Sequence, residues 1–175
     1  MRYALIYGSL SGLAVLGAIL AGLTLSGRDG FFTSEWFGYL VMLVALSLIF
    51  VGIKRYRDVE QGGVIRFLPA FGLGLGIAAV AGLAYVIAWE VYLAATDYAF
   101  MDQYIASIAE ARRAEGASEA AIAAEVASWE GMRQNYANPL FRIPITFAEI
   151  FPVGLIVALV SAALLRNPRL LPAAR

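Results

Sequence analysis

The chain has 175 residues, 61% of them hydrophobic and 15% charged, with mean hydropathy +0.75 and a formal net charge of +0. So apolar a sequence excludes an ordinary soluble domain of this length, and the zero net charge argues against a nucleic-acid binder. Cysteine and histidine are both absent, which excludes disulfides, Cys or His metal sites, Cys nucleophiles and a Ser-His-Asp triad.

The N-terminal stretch "MRYALIYGSLSGLAVLGAILAGLTLSG" has one Arg followed by apolar or small residues, a run longer than the ~7–15 residues of a signal-peptide core. It reads as a retained first span, Tyr3 to Leu25, long enough for the hydrocarbon core. Gly8 and Gly12 stand four apart, a spacing that lets helix backbones approach within one bundle or across a homodimer.

A second span, Trp36 to Ile53, stops against Lys54, Arg55, Arg57, Asp58 and Glu60. The bland reading is a charged stop whose bases meet anionic headgroups, with Gly62 and Gly63 turning the chain. The sharper reading pairs Asp58 with one of these bases, or with Arg66 across the turn, so that it fixes how the second and third spans meet.

The third span, Leu68 to Ala95, has Pro69 near its start and a second small-residue spacing, Gly72 and Gly76, in "FGLGLG". Trp36, Tyr39, Tyr85, Trp89 and Tyr92 are expected as interfacial anchors. Glu90 is an acid at membrane depth, a functional-site hypothesis by default.

Thr96 to Arg142 is the hydrophilic part. Met101, Tyr104, Ile105 and Ile108 form one stripe at helical spacing, Gly116 breaks it, and Ser118 caps a second helix bearing Ile122, Val126, Trp129, Arg133 and Tyr136. The spacing predicts a helical hairpin over 97–138 whose stripes meet each other or rest on the leaflet. Asn135, Tyr136 and Asn138 before Pro139 mark its stop.

The fourth span, Ile143 to Leu165, has Pro144 near its start and carries Glu149 and Pro152. Pro152 cannot donate to the carbonyl of Ala148, so Glu90, Thr146, Ala148, Glu149 and Pro152 make a candidate ion or proton site of hard oxygens. The structural alternative pairs Glu149 with Arg142 or Thr146 and gives Glu90 a tyrosine hydroxyl or headgroup water.

Lys and Arg on one side number eight: Arg2, Lys54, Arg55, Arg57, Arg66, Arg166, Arg169 and Arg175. The other side has Arg28, Arg112, Arg113, Arg133 and Arg142, mostly in one long segment that counts less. Both termini and the basic cluster are therefore expected in the cytoplasm, and the hairpin outside.

"LSLIFVGIKRYRDVEQGG", "YVIAWEVY", "NYANPLFR" and "TFAEIFPVGLIVALVSAALL" together resemble the domain of unknown function 4199 family of bacterial four-span membrane proteins. The resemblance covers nearly the whole chain. It implies an integral inner-membrane protein with no activity or cofactor to carry over, and it singles out Lys54, Arg55, Arg57, Asp58, Trp89, Glu90, Asn138, Pro139, Glu149, Pro152 and Gly154 as positions that matter.

The expectation is an all-α polytopic membrane protein forming a single membrane domain over 1–175, with four transmembrane helices and an extramembrane hairpin. Its partners are the lipid bilayer and a second copy or an envelope protein bound through the hairpin. The functional reading is a non-enzymatic accessory or interaction protein. Two others stand behind it: an oligomeric transporter or cation- and proton-handling protein using Glu90 and Glu149, and a membrane lipid enzyme.

Overall fold

A computed structural model describes residues 1–25 and 35–172 of the chain. The described residues are helical in seven elements: α1 (Arg2–Leu25), α2 (Glu35–Leu46), α3 (Leu48–Glu60), α4 (Phe67–Ala95), α5 (Phe100–Ala114), α6 (Glu119–Ala137) and α7 (Pro139–Leu165). Among the described residues, three runs are long and apolar enough to cross a membrane: Gly38–Glu60, Phe67–Ala95 and Pro139–Leu165. The chain divides into two compact units, Met1–Ala88 with Phe147–Arg175, and Trp89–Thr146. Arg28, Asp29 and Arg175, and the side chains of Glu35 and Trp36, lie outside the described residues.

In the first unit, small residues set how closely the helices pack. A Cβ built on Gly12 of α1 would lie 2.5 Å from the Ala81 carbonyl oxygen of α4, and one on Gly8 would lie 2.6 Å from Val80 Cβ. On α4 itself Gly74 is at a tight contact with Ala158 of α7 and Gly82 with Phe147 of α7, while Gly72 has open space and Gly76 only ordinary contact with Ala4. This corrects the expectation for Gly72 and Gly76: "GLGLG" offers three glycines, and helix rotation, which spacing does not reveal, turns the middle one to α7.

Gly12→Ala is expected to destabilise the protein in detergent by about 1–3 kcal/mol through overpacking against backbone. Gly17→Ala, where nothing lies within 4 Å, should stabilise α1 by about 0.5–1 kcal/mol. Paired thermal unfolding curves check both; equal shifts would refute the close approach.

The second span differs from its expected form in two ways. It is interrupted at Ser47, whose hydroxyl donates to the Val44 carbonyl at 2.6 Å. The fully buried Ser11 of α1 donates to the Ala45 carbonyl at 3.1 Å, so an interhelical bond serves a backbone acceptor beside the break. At the other end α3 continues through Lys54, Arg55 and Arg57 to Glu60 rather than ending at Ile53. Charge ends the apolar run but not the helix, because Lys, Arg and Glu are good helix formers. The turn follows at Gly62 (φ 62°) and Gly63 (φ 88°), with the Gly63 amide closing on the Arg57 carbonyl at 2.9 Å. Left-handed φ at two successive positions is what glycine supplies at low cost.

Two more expectations are corrected. Tyr85 and Trp89 are 3% and 5% exposed, so they are packed inside rather than standing as exposed anchors; Tyr39 is exposed. Pro144 sits inside α7, which starts at Pro139. Asn138 makes that early start: its Oδ1 accepts from the Leu140 amide at 2.9 Å and its carbonyl from the Arg142 amide at 2.9 Å, leaving Pro139 at the first helical position where its missing N–H costs nothing.

In the second unit, α5 and α6 run antiparallel. The break is at Gly116 (φ 80°), and Ser118 accepts from the Ala121 amide at 3.3 Å as the α6 cap. Met101 and Ile122 are buried, and the Tyr104 and Trp129 rings meet edge-on at 5.5 Å. Arg112 bonds Glu125 at 2.6 Å and Arg133 bonds Asp102 at 2.9 Å, tying the two helices at two levels. These carboxylates, with Glu115 and Glu130, hold both guanidiniums above their ordinary pKa.

Candidate functional site

The basic cluster of α3 is mostly inward. Arg57 is 0% exposed. Its Nε donates to Asp58 Oδ1 at 2.7 Å, its Nη1 to the Leu170 carbonyl at 3.0 Å and the Leu165 carbonyl at 3.5 Å, and its Nη2 to the Leu171 carbonyl. Leu165 is the last residue of α7, so Arg57 places positive charge on carbonyls that a helix C-terminus leaves without partners. Lys54 donates to the other Asp58 oxygen one helical turn away. Asp58 therefore bridges Lys54 and Arg57, while Arg55 and Arg66 are exposed. Glu60 accepts from Tyr3 at 3.0 Å and from Arg2 at 3.4 Å. The starts of α1 and α4 and the ends of α3 and α7 thus gather at one end of the first unit.

Glu90 and Arg142 form the polar centre of the second unit. Arg142 is 2% exposed, and its Nε and Nη2 donate to the two Glu90 oxygens, each at 2.7 Å. This bidentate geometry is the strongest form of the pair. Nη1 donates to the Tyr136 carbonyl at 2.8 Å and the Ala137 carbonyl at 3.4 Å. The guanidinium carbon lies 5.0 Å from the Tyr98 ring centroid and 5.8 Å from that of Tyr136, within cation–π range. Trp89 Nε1 donates to the Tyr136 hydroxyl at 2.8 Å.

Tyr98 reaches this place through an uncommon backbone. Asp97 (φ 51°) and Tyr98 (φ 55°) are both left-handed without being glycine, and the Tyr98 amide closes α4 on the Leu93 carbonyl at 2.8 Å. Each such residue costs of order 1 kcal/mol, offset here by the ring-to-guanidinium contact. No composition signal marks these two residues, although a Schellman-type helix stop normally takes glycine.

The candidate ion-site residues separate into different environments. Both Glu90 oxygens are engaged by Arg142, so a carboxylate assigned to an ion acts as half of an ion pair. Thr146 is 2% exposed, and its hydroxyl has no hydrogen-bond partner among the described residues. Ala148, Glu149 and Pro152 are exposed on α7, and no described residue pairs with Glu149. Among the described residues there is no group of three acids that could hold a metal ion.

Beside Arg142 the second unit contains a cavity of about 510 Å³. Tyr98, Met101, Asp102, Arg133, Tyr136 and Arg142 are among the residues that line it. The helical spacing marked Arg133 and Tyr136 for position but not for a site shared with Asp102, because their meeting depends on the α5–α6 register.

The family model described as Protein of unknown function (DUF4199) matches residues 2–167 of the chain. No curated protein and no solved structure matches it.

Proposed function

The chain belongs to the DUF4199 family, and from that premise we propose that it is a non-enzymatic accessory protein of the bacterial inner membrane, offering α5 and α6 as an outward partner surface. One observation carries the reading: α5 and α6 are braced on each other by Arg112–Glu125 and Arg133–Asp102, so they form a surface that keeps its shape without a ligand. Little ordering entropy then opposes association.

The proposal includes four crossings. To the three apolar runs it adds α1, whose 24 residues reach about 36 Å. Support for cytoplasmic termini comes from the gathering of Arg2, Glu60 and Arg57 with the Leu170 and Leu171 carbonyls at one end of the first unit, which an even number of crossings demands. The exposed Arg55 and Arg66 then face the anionic leaflet. Because the native chain has no cysteine, Gln61→Cys and Ala117→Cys test topology cleanly. An impermeant maleimide should label Ala117→Cys from outside and Gln61→Cys only after lysis; labelling of both from one side would refute the arrangement.

The interaction reading is tested by placing a photocrosslinking amino acid at the exposed Ala120 or Ala124 of α6 in intact bacteria. Recurrent discrete adducts to one protein from both positions are the expected result. Illumination that yields no adduct from either would overturn it.

A second reading, ion or proton handling in an oligomer, is favoured by Glu149: an acid within Pro139–Leu165 that is exposed on the single chain. Ionisable groups at that depth normally face protein or water. It predicts a flux that Glu149→Gln abolishes.

A further inference from the structure

We infer that the cavity of the second unit binds a phosphoethanolamine group, the headgroup of a zwitterionic phospholipid. The inference rests on the proposed membrane setting only for the source of the ligand; the recognition chemistry is built into the cavity.

The poles of the site are fixed and opposite. Of the charged groups lining the cavity, Arg142, held by Glu90, is buried, and Asp102, beside Arg133, is exposed. Arg133 is shared between Asp102 and Glu130, and Arg142 is held by Glu90, so the lining presents separated acidic and basic groups. A dipolar ligand answers both, whereas a lone charge would leave one of them desolvated without compensation.

The donors point the same way. A guanidinium has five N–H hydrogens. Arg142 commits its Nε, its Nη1 and one Nη2 hydrogen to Glu90 and two carbonyls, leaving one Nη2 hydrogen. That suits a singly charged diester better than a dianionic phosphate monoester, which wants a free bidentate fork. Tyr98, half-exposed and with its ring over Arg142, also lines the cavity and brings a neutral donor to it. Asp102 gives one oxygen to Arg133, and its other oxygen accepts from a primary ammonium. A quaternary ammonium has no hydrogen to give, and the Tyr98 and Tyr136 faces that would cage it already cover Arg142. The volume lies in the usual range for a small-ligand site. Leu93 near the end of α4 and Pro139 at the start of α7 also line the cavity, which in the proposed topology puts it at headgroup depth.

The test titrates the full-length protein in a non-ionic detergent with dihexanoyl phosphatidylethanolamine, phosphatidylcholine and phosphatidylglycerol, and with soluble glycerophosphoethanolamine. Tryptophan emission reports binding, since Trp89 donates to Tyr136 in the cavity wall. The ethanolamine lipid should bind about tenfold more tightly than the other two lipids, the worth of a charge-assisted hydrogen bond. Asp102→Asn should remove that preference. Asp102 and Arg133 are both exposed, so this variant keeps the fold, and an unchanged melting temperature verifies it. Tighter binding of the lipid than of glycerophosphoethanolamine supports the bilayer as source; equal binding supports the same chemistry with a soluble source. Equal affinity for the three lipids, absence of saturable binding, or an ethanolamine preference that survives Asp102→Asn would overturn the inference. Failure of the crosslinking experiment would leave this result untouched, so the two proposals fall separately.

Discussion

Arg57→Met is expected to lower the stability of the protein in detergent by about 3–5 kcal/mol, among the largest effects of any single substitution. Arg57 is fully buried and serves the carbonyls of Leu165, Leu170 and Leu171 together with the Asp58 carboxylate. Methionine fills a similar volume and so removes the bonds rather than the packing. The buried Leu165 carbonyl then loses its donor at about 1–3 kcal/mol, the part-buried Leu170 and Leu171 carbonyls lose theirs at less, and Asp58 is left without the Arg57 charge. Asp58→Asn is expected to cost somewhat less, because it removes the counter-charge of Arg57 but keeps an acceptor. Chemical denaturation with tryptophan emission checks both; a loss under about 1 kcal/mol for Arg57→Met, the value of a surface pair, would return the cluster to a charged stop. Arg55→Gln, at an exposed position, should leave stability within about 0.5 kcal/mol.

The second large effect belongs to Glu90 and Arg142. Glu90→Leu strands a guanidinium that is 2% exposed, and removing one partner of a buried pair costs about 3–5 kcal/mol. Because the pair lies in the unit Trp89–Thr146, the loss should appear first as faster amide hydrogen exchange across residues 97–138. Glu90→Leu combined with Arg142→Leu should recover part of the stability, since apolar pairs replace buried ion pairs at low cost. Additive losses in that double variant would show that the two side chains do not depend on each other.

The apolar runs were legible because composition over some twenty residues is what a membrane selects, and the ends of α4, α5 and α6 followed from Pro69, Gly116, Ser118 and Pro139. The polar contacts were not. Arg57 finds its partners on backbone carbonyls 108 to 114 residues away, and a carbonyl has no sequence signature. The structural alternative offers Glu149 either Arg142, seven residues back along its own helix, or Thr146, whereas the structure gives Arg142 to Glu90, 52 residues distant on α4. The acids in the spans were recognisable as exceptional; which base satisfies each depends on helix rotation. Asp97 and Tyr98 illustrate a second limit: Asp tolerates the left-handed conformation without dictating it and Tyr does not favour it, so turn chemistry does not reveal the stop that places Tyr98 over Arg142.

Both charged centres read as fasteners. Asp58, Lys54 and Arg57 hold the end of α3 to the end of α7, and Glu90 with Arg142 holds the second unit, which leaves the α5–α6 surface and the cavity beside it as the parts free to meet something else. Glu149 is the one acid in the spans that this account leaves without a task, so proton and cation flux through proteoliposomes tests the central claim most directly. The account predicts that wild-type protein conducts no more than protein-free vesicles, and that Glu149→Gln behaves identically. Flux in the wild type that Glu149→Gln abolishes would contradict it and establish the ion-handling reading in its place.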